Sequence, residues 1–367
     1  MNERILRLQA LLRERGIDAA ALMPGPNLYY FTGLRMEVTE RPVLLFVPSR
    51  GTPFAWGPAF EAERLREAAG RVYTWGEVEG PLPSLLEALR REGLAGVGAA
   101  VPVVAVEYRV MRVLEFELLR ASAGAVNHVD AGPLCARLRS VKDAAEVERL
   151  EGAARLCDAG MAAAAEAIRP GASEAQVAAW VKAALERLGH AGDCHIMVAS
   201  GPRSAVPHAG TSDRVMQDGE LCWVDLVVYH EGYVGDITRT FPVGTVGAEA
   251  RAIFDAVLQA QALGRAAARP GITGAQLDRL VRDHLEARGY GPCFTHRTGH
   301  GIGLEVHEEP YIVGSNDAPL EAGNVFTVEP GVYVPGLGGV RIEDDVLLVP
   351  GGARVLTRYP QNTFGGA

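Results

Sequence analysis

"RPGASEAQVAAWVKAALERLGH" occupies residues 169–190, and "RPGITGAQLDRLVRDHLEARGY" occupies residues 269–290. The second stretch starts one hundred residues after the first, and Pro, Gly, Ala-Gln, Val, Leu-Glu and Gly recur in register. Each copy reads as a turn followed by an amphipathic helix. Each is followed by a glycine-rich stretch that carries histidine: "ASGPRSAVPHAG" (199–210) and "HRTGHGIGLEVHEEP" (296–310). Chance likeness between two alanine-rich helices does not account for the shared flanks, so duplication is the better reading. A duplicated α+β unit folds into two similar halves about a pseudo-twofold axis, with a cleft between them.

The two halves also end alike. "GELCWVDLVVYHEGYVGDITRTFPV" (219–243) alternates as two strands about a turn near Glu231 and Gly232. Hairpin pairing there brings Asp225 and Asp236 close across the ladder. "NVFTVEPGVYVPGLGGVRIEDDVLLV" (324–349) repeats the pattern, with Glu329 and Glu343 on either side of a turn around Pro335 and Gly336. An acidic residue on a strand usually faces water. Asp225 inside "CWVDLVV" and Glu329 inside "VFTVEP" do not fit that reading, because a carboxylate in apolar surroundings is costly unless a cation or partner compensates it.

His296, His300 and His307 fall within twelve residues, between Gly299, Gly301 and Gly303. Three imidazoles so close to bare backbone point to nitrogen ligands or proton carriers in a glycine loop. Four strand carboxylates and one loop histidine suit a two-metal site. Oxygen-rich ligation with one imidazole favours Mn²⁺, Co²⁺ or Fe²⁺, with Zn²⁺ as a further option. A pair of ions ~3.5–4 Å apart activates water and polarises a carbonyl, as in aminopeptidase-type hydrolysis. "GHGIG" lacks the GxGxxG spacing and following helix of a dinucleotide site. No GxSxG elbow supports a serine nucleophile.

The rest of the chain sets the frame. Its 367 residues suffice for two domains. At 48% hydrophobic, 22% charged and a net charge of −9, with no basic tract, it is a poor partner for nucleic acid or an anionic membrane. The five cysteines are widely spaced, odd in number and without a CxxC pair, which fits reduced thiols in a cytoplasm. The N-terminus reads as an amphipathic helix without a signal-peptide core. The longest apolar stretch, 93–106, contains Pro102 and is too short to span a bilayer. Helix-like and strand-like patches alternate over the first ~130 residues, as in an α/β domain. A long helix then begins with Asp143 and Glu146 placed as a cap pair and ends before Pro170 and Gly171. The expected division is 1–132 for the N-terminal domain and 133–367 for the second.

The set "VDLVVYHEGYVGDITRTF", "GHGIGLEVHEEP", "TVEPGVY" and "RIEDD" closely resembles the peptidase family that includes Xaa-Pro dipeptidase (prolidase), aminopeptidase P and methionine aminopeptidase. "LLRERGIDAAALMPGPNLYYFTG" resembles the N-terminal domain of its creatinase/prolidase branch. The resemblance covers essentially the whole chain. It implies an α/β creatinase-like N-terminal domain and an α+β pita-bread catalytic domain with internal duplication. It also implies metal ligation by Asp225, Asp236, His300, Glu329 and Glu343, with Asp236 and Glu343 bridging. Glu329 doubles as the proton shuttle, His307 steadies the scissile carbonyl or the tetrahedral intermediate, and His208 holds substrate from the other side. His296 and Arg341 match further active-site positions, Arg341 on the substrate side. His128, His190, His195, His230 and His284 match no motif.

The resemblance makes the expected reaction metal-dependent hydrolysis of Xaa-Pro bonds in dipeptides, with Mn²⁺ first among the metals and a homodimer as the assembly. Aminopeptidase P acting on longer Xaa-Pro peptides is the alternative. No Arg or Lys lies between His307 and Glu329, where several prolidases place an arginine for the substrate carboxylate. A metal-using lyase or amidohydrolase, and a non-catalytic binding protein on the same scaffold, are the remaining alternatives.

Overall fold

Helix-like and strand-like patches in the first part of the chain alternate because a mixed sheet takes its cover from the helices between its strands. The computed structural model describes residues 2–95, 101–123 and 127–364. It divides into two compact units, Met1–Arg139 and Ser140–Ala367. The first contains α1 (Glu3–Glu14), β1 (Ala19–Leu22), α2 (Pro26–Thr32), β2 (Leu44–Pro48), β3 (Phe54–Pro58), α3 (Ala62–Ala68), β4 (Arg71–Trp75), α4 (Pro81–Arg91), β5 (Val103–Val106), α5 (Val113–Ala123), β6 (Asn127–Asp130) and α6 (Gly132–Ser140). The sheet order is β4-β3-β2-β1-β5-β6. β1 pairs antiparallel with β2 and parallel with β5. All four residues of β1 are buried, so this central strand shows no polar alternation. Phe46 and Phe54 stack with ring centroids 4.7 Å apart, in a core shared with Trp56, Leu85 and Leu89.

The divide falls after Arg139, seven residues beyond the expected 132. Helix α6 stays with the first unit because Leu134, Cys135 and Leu138 are buried. The Tyr30 hydroxyl also donates to the Leu138 carbonyl at 2.8 Å, and Arg139 donates to Asn27 at 2.8 Å.

The second unit contains α7 (Ala144–Ala167), α8 (Glu174–Arg187), β7 (Cys194–Ser200), β8 (Glu220–His230), β9 (Tyr233–Val243), α9 (Ala248–Ala267), α10 (Gly274–Glu286), β10 (Gly299–Gly301), β11 (Glu308–Ile312), β12 (Val325–Val328), β13 (Gly331–Val334), β14 (Gly338–Arg341), β15 (Asp344–Val349) and β16 (Gly352–Val355). The duplication is visible bond by bond. Ser173 caps α8 and Thr273 caps α10, each in a capping box with the glutamine three residues on. Gly171 N–H donates to the Met216 carbonyl and Gly271 N–H to the Leu320 carbonyl, while Met216 and Leu320 donate back to Ala172 and Ile272. The Asp143–Glu146 capping box forms at the start of α7.

Strands β7, β8 and β9 make one sheet; β11-β10-β12-β15-β16 make the other, and β13 and β14 form a hairpin between β12 and β15. The β8–β9 turn is two residues, Glu231 at φ 48° and Gly232 at φ 89°, the left-handed pair that a tight hairpin requires. Helices α7 and α8 cover the first sheet through Cys157, Met161, Val177, Val181 and Leu185.

Candidate metal centre

The ladder between β8 and β9 pairs Asp225 with Thr238 and Val227 with Asp236. Asp225 and Asp236 therefore share one face as diagonal neighbours. In the second sheet β12 pairs antiparallel with β15, ending at Val328 opposite Asp344, so Glu329 and Glu343 continue from the same end of the ladder. The hairpin β13–β14 occupies the stretch between them. Glu343 N–H donates to the Thr238 carbonyl at 3.0 Å, and the Thr238 hydroxyl donates to the Glu343 carboxylate at 2.7 Å. These bonds tie the end of the second sheet to the middle of β9.

His300 lies on a strand, not on the loop expected from its glycines. Strand β10 runs between β11 and β12 so closely that a Cβ on Gly299 would sit 1.8 Å from the Thr327 carbonyl oxygen. A Cβ on Gly301 would sit 2.4 Å from Glu309 backbone. The glycines allow a strand to be inserted here, with the imidazole on it.

Ligand atoms of Asp236, His300 and Glu343 all lie within 4.8 Å of one another, and all three residues are buried. His300 Nε2 is 3.9 Å from Asp236 Oδ2 and 3.2 Å from Glu329 Oε1. Its Nδ1 lies 3.2 Å from the Gly301 carbonyl. With Nδ1 turned to a backbone carbonyl, Nε2 is the nitrogen that faces the carboxylates, the orientation a metal-ligating histidine requires. Thr327 donates to Glu329 at 3.2 Å and accepts from His300 N–H at 3.1 Å.

Burial pushes Asp236 well above the usual carboxylate range, and Asp225, Asp345 and Glu329 push it further. Burial, then Asp236 and Glu329, do the same to Glu343. Burial also works against ionised Glu329, but the hydrogen bond and charge of His300, with His296 and Arg341, hold it down to about 2. Asp236 Oδ1 is buried without a hydrogen-bond partner. Carboxylates crowded like this ionise together only when cations are added. The residues thus fit divalent metal.

Arg341 closes one side. It donates to Asp225 Oδ2, to the Tyr333 hydroxyl at 2.8 Å, to Thr238 Oγ1 at 3.2 Å and to the Pro207 carbonyl at 3.1 Å. Its guanidinium lies over the Trp223 ring at 4.7 Å. His296 reaches the same group, with Nε2 3.0 Å from the Tyr333 hydroxyl. His307 is exposed, with its ring edge-on to His300 at 4.2 Å. Desolvation, followed by the charges of His300 and Arg297, lowers His307 to about 4 although part of the ring faces solvent. His208 is also exposed, next to the Pro207 carbonyl that Arg341 holds, and its charge acts on His296 and His307.

Thr238, Tyr333 and Asp345 were not expected at the site. Thr238 follows Asp236 by two residues and so shares its face, a signal the alternation already contained. Asp345 accepts the Asp236 N–H at 3.1 Å. Tyr333 links His296 to Arg341 across the hairpin, a contact that no local spacing announces.

Residues 148–350 match the model of metallopeptidase family M24, and residues 4–141 match that of the creatinase/prolidase N-terminal domain. The chain belongs to metallopeptidase family M24, and its fold is a creatinase-like N-terminal domain followed by the pita-bread catalytic domain. The putative dipeptidase YkvY of Bacillus subtilis (strain 168) is 36% identical over 362 residues, 98% of each chain. The crystal structure of dipeptidase PepE from Mycobacterium ulcerans matches with a TM-score of 0.90 and 36% identity, over 98% of this chain and 95% of that one. The prolidase from Pyrococcus horikoshii OT3 matches with a TM-score of 0.87 and 30% identity, over 99% and 100%. Among the described residues no helix is long and apolar enough to cross a membrane.

Proposed function

We propose that the protein hydrolyses Xaa-Pro dipeptides with two divalent metal ions, Mn²⁺ first, which Asp225, Asp236, His300, Glu329 and Glu343 would hold. The observation that carries this is the buried convergence of Asp236, His300 and Glu343, with Glu329 3.2 Å from His300. When bound, the ions lower the pKa of water and polarise the scissile carbonyl. Glu329 accepts the proton of the attacking water and returns it to the proline nitrogen. His307, neutral at pH 7, donates a hydrogen bond to the carbonyl oxygen as it gains charge. His208 holds the peptide from the opposite side. Arg341 orients Asp225, and His296, through Tyr333, orients Arg341.

A dipeptidase must also recognise the carboxylate after proline. Tyr311 stands in the stretch between His307 and Glu329, with the Arg297 guanidinium over its ring at 4.5 Å. Arg297, or Arg35 delivered by a partner subunit, is the cation we assign to that carboxylate. The missing arginine in the 308–328 stretch favours the second reading, an aminopeptidase P acting on longer peptides. We further read the protein as a cytoplasmic homodimer in which residues 31–42 approach the partner's cleft. A fully active monomer by light scattering excludes that assembly. The test of substrate is kcat/KM with Mn²⁺ on Ala-Pro against Ala-Pro-Ala. Preference for the dipeptide supports the proposal, and preference for the tripeptide transfers the assignment to aminopeptidase P.

A further inference from the structure

His307 ends a six-residue loop, 302–307, that leaves the ladder after Gly301 and rejoins it at Glu308, the residue paired with Gly301. The loop therefore starts and finishes on one rung, and its shape depends on what fills it. Val234 N–H donates to the Gly303 carbonyl at 2.9 Å, and Gly303 N–H donates to the Glu305 carbonyl at 3.2 Å. The Glu308 carboxylate lies against Gly303: a Cβ there would be 2.5 Å from Oε1 and 2.9 Å from Oε2. Lys142 Nζ meets that carboxylate at 2.8 Å, and the two side chains are only 1% and 7% exposed.

Lys142 is itself held in place. Its N–H donates to the Gly323 carbonyl at 2.8 Å, and Asn324 donates to the Ser140 carbonyl at 3.0 Å, which fixes the segment ahead of α7. A buried ion pair gives little net stability over apolar side chains of the same size, because desolvation offsets the attraction. Removal of one partner, by contrast, leaves a buried charge that draws water or rearranges its surroundings. Here the surroundings are the loop that carries His307.

We propose that Lys142 is a positioning residue for His307: through Glu308 it sets the 302–307 loop so that the imidazole stays against His300. The inference rests on the reading of His307 as a group that meets substrate. Lys142→Met takes the ammonium away from the Glu308 carboxylate and should lower kcat about 10- to 100-fold, the range for outer supporting groups of an active site, with a smaller change in KM and both metals retained.

A double-mutant cycle separates this from general loosening. Rates are measured with Mn²⁺ and Ala-Pro for the wild type, Lys142→Met, His307→Ala and the double variant. If Lys142 acts through His307, its replacement costs nothing further once His307 is gone. Equal losses in both backgrounds, or no loss from Lys142→Met in the wild type, overturn the inference. A His307→Ala enzyme of full activity overturns the His307 reading instead. If Lys142→Met does not fold, Lys142→Met/Glu308→Leu removes both charges. It should regain stability without regaining kcat, and wild-type kcat in that variant also overturns the inference.

Discussion

Arg341 Nη2 donates to Asp225 Oδ2, tying the last strand of the β13–β14 hairpin to the first strand of the β8–β9 hairpin. Both residues are buried, Arg341 at 4% exposure and Asp225 at 8%. Arg341→Met should therefore cost ~3–5 kcal/mol, because it strands a buried carboxylate and also releases Tyr333 and Thr238. Arg341→Lys should recover only part of this, since one ammonium cannot reproduce the planar fork. Urea denaturation of chelated, metal-free protein measures it; a loss below about 1 kcal/mol, the range of an exposed pair, contradicts the assignment.

His307 stands edge-on against His300, with ring centroids 4.2 Å apart. His307→Ala should keep both metals and lose roughly two to three decades of turnover, the usual worth of one carbonyl-stabilising donor or proton carrier. Metal analysis alongside kcat decides this. If metal content falls with activity, His307 is a ligand and its assigned role is wrong.

The duplicated capping boxes predict matched energetics. Ser173→Ala and Thr273→Ala should each cost about 1 kcal/mol, because each removes the acceptor for one helix N–H. Two thermal melts read this directly, and a difference of several-fold between the two sites would show that the copies have diverged in load.

Recognition of the substrate carboxylate predicts that Ala-Pro-amide is a worse substrate than Ala-Pro. The loss should be on the order of 2–3 kcal/mol in transition-state binding, a charge-assisted hydrogen bond. Equal or faster cleavage of the amide supports the aminopeptidase reading.

Much of this arrangement is legible in the sequence because it depends on short periods. The hundred-residue repeat carries its own caps, and the hairpins around Glu231 and Pro335 place Asp225, Asp236, Glu329 and Glu343 by strand alternation alone. The sequence predicts a loop for His300 where the structure has strand β10, because glycine reports a permissive backbone without saying whether a neighbouring strand exploits it. Whether Gly299 and Gly301 permit a turn or a tightly inserted strand depends on Thr327 and Glu309, which arrive from other strands. The same limit hid Tyr333 beside Arg341 and Lys142 beneath Glu308, the latter a contact across 166 residues. Helix α6 shows a similar limit: the groups that hold it, Tyr30 and Asn27, lie a hundred residues earlier.

In the proposed mechanism four carboxylates and one imidazole hold two ions, and hydrolysis depends on them. The most direct measurement is metal content and Ala-Pro hydrolysis on the same samples, for chelated protein, for protein reloaded with Mn²⁺, and for Asp236→Ala treated identically. Expected are no activity without metal, two ions per chain with activity restored on reloading, and neither ion nor activity in Asp236→Ala, since Asp236 is proposed to serve both. Full hydrolysis by Asp236→Ala, or by exhaustively chelated protein, would contradict it.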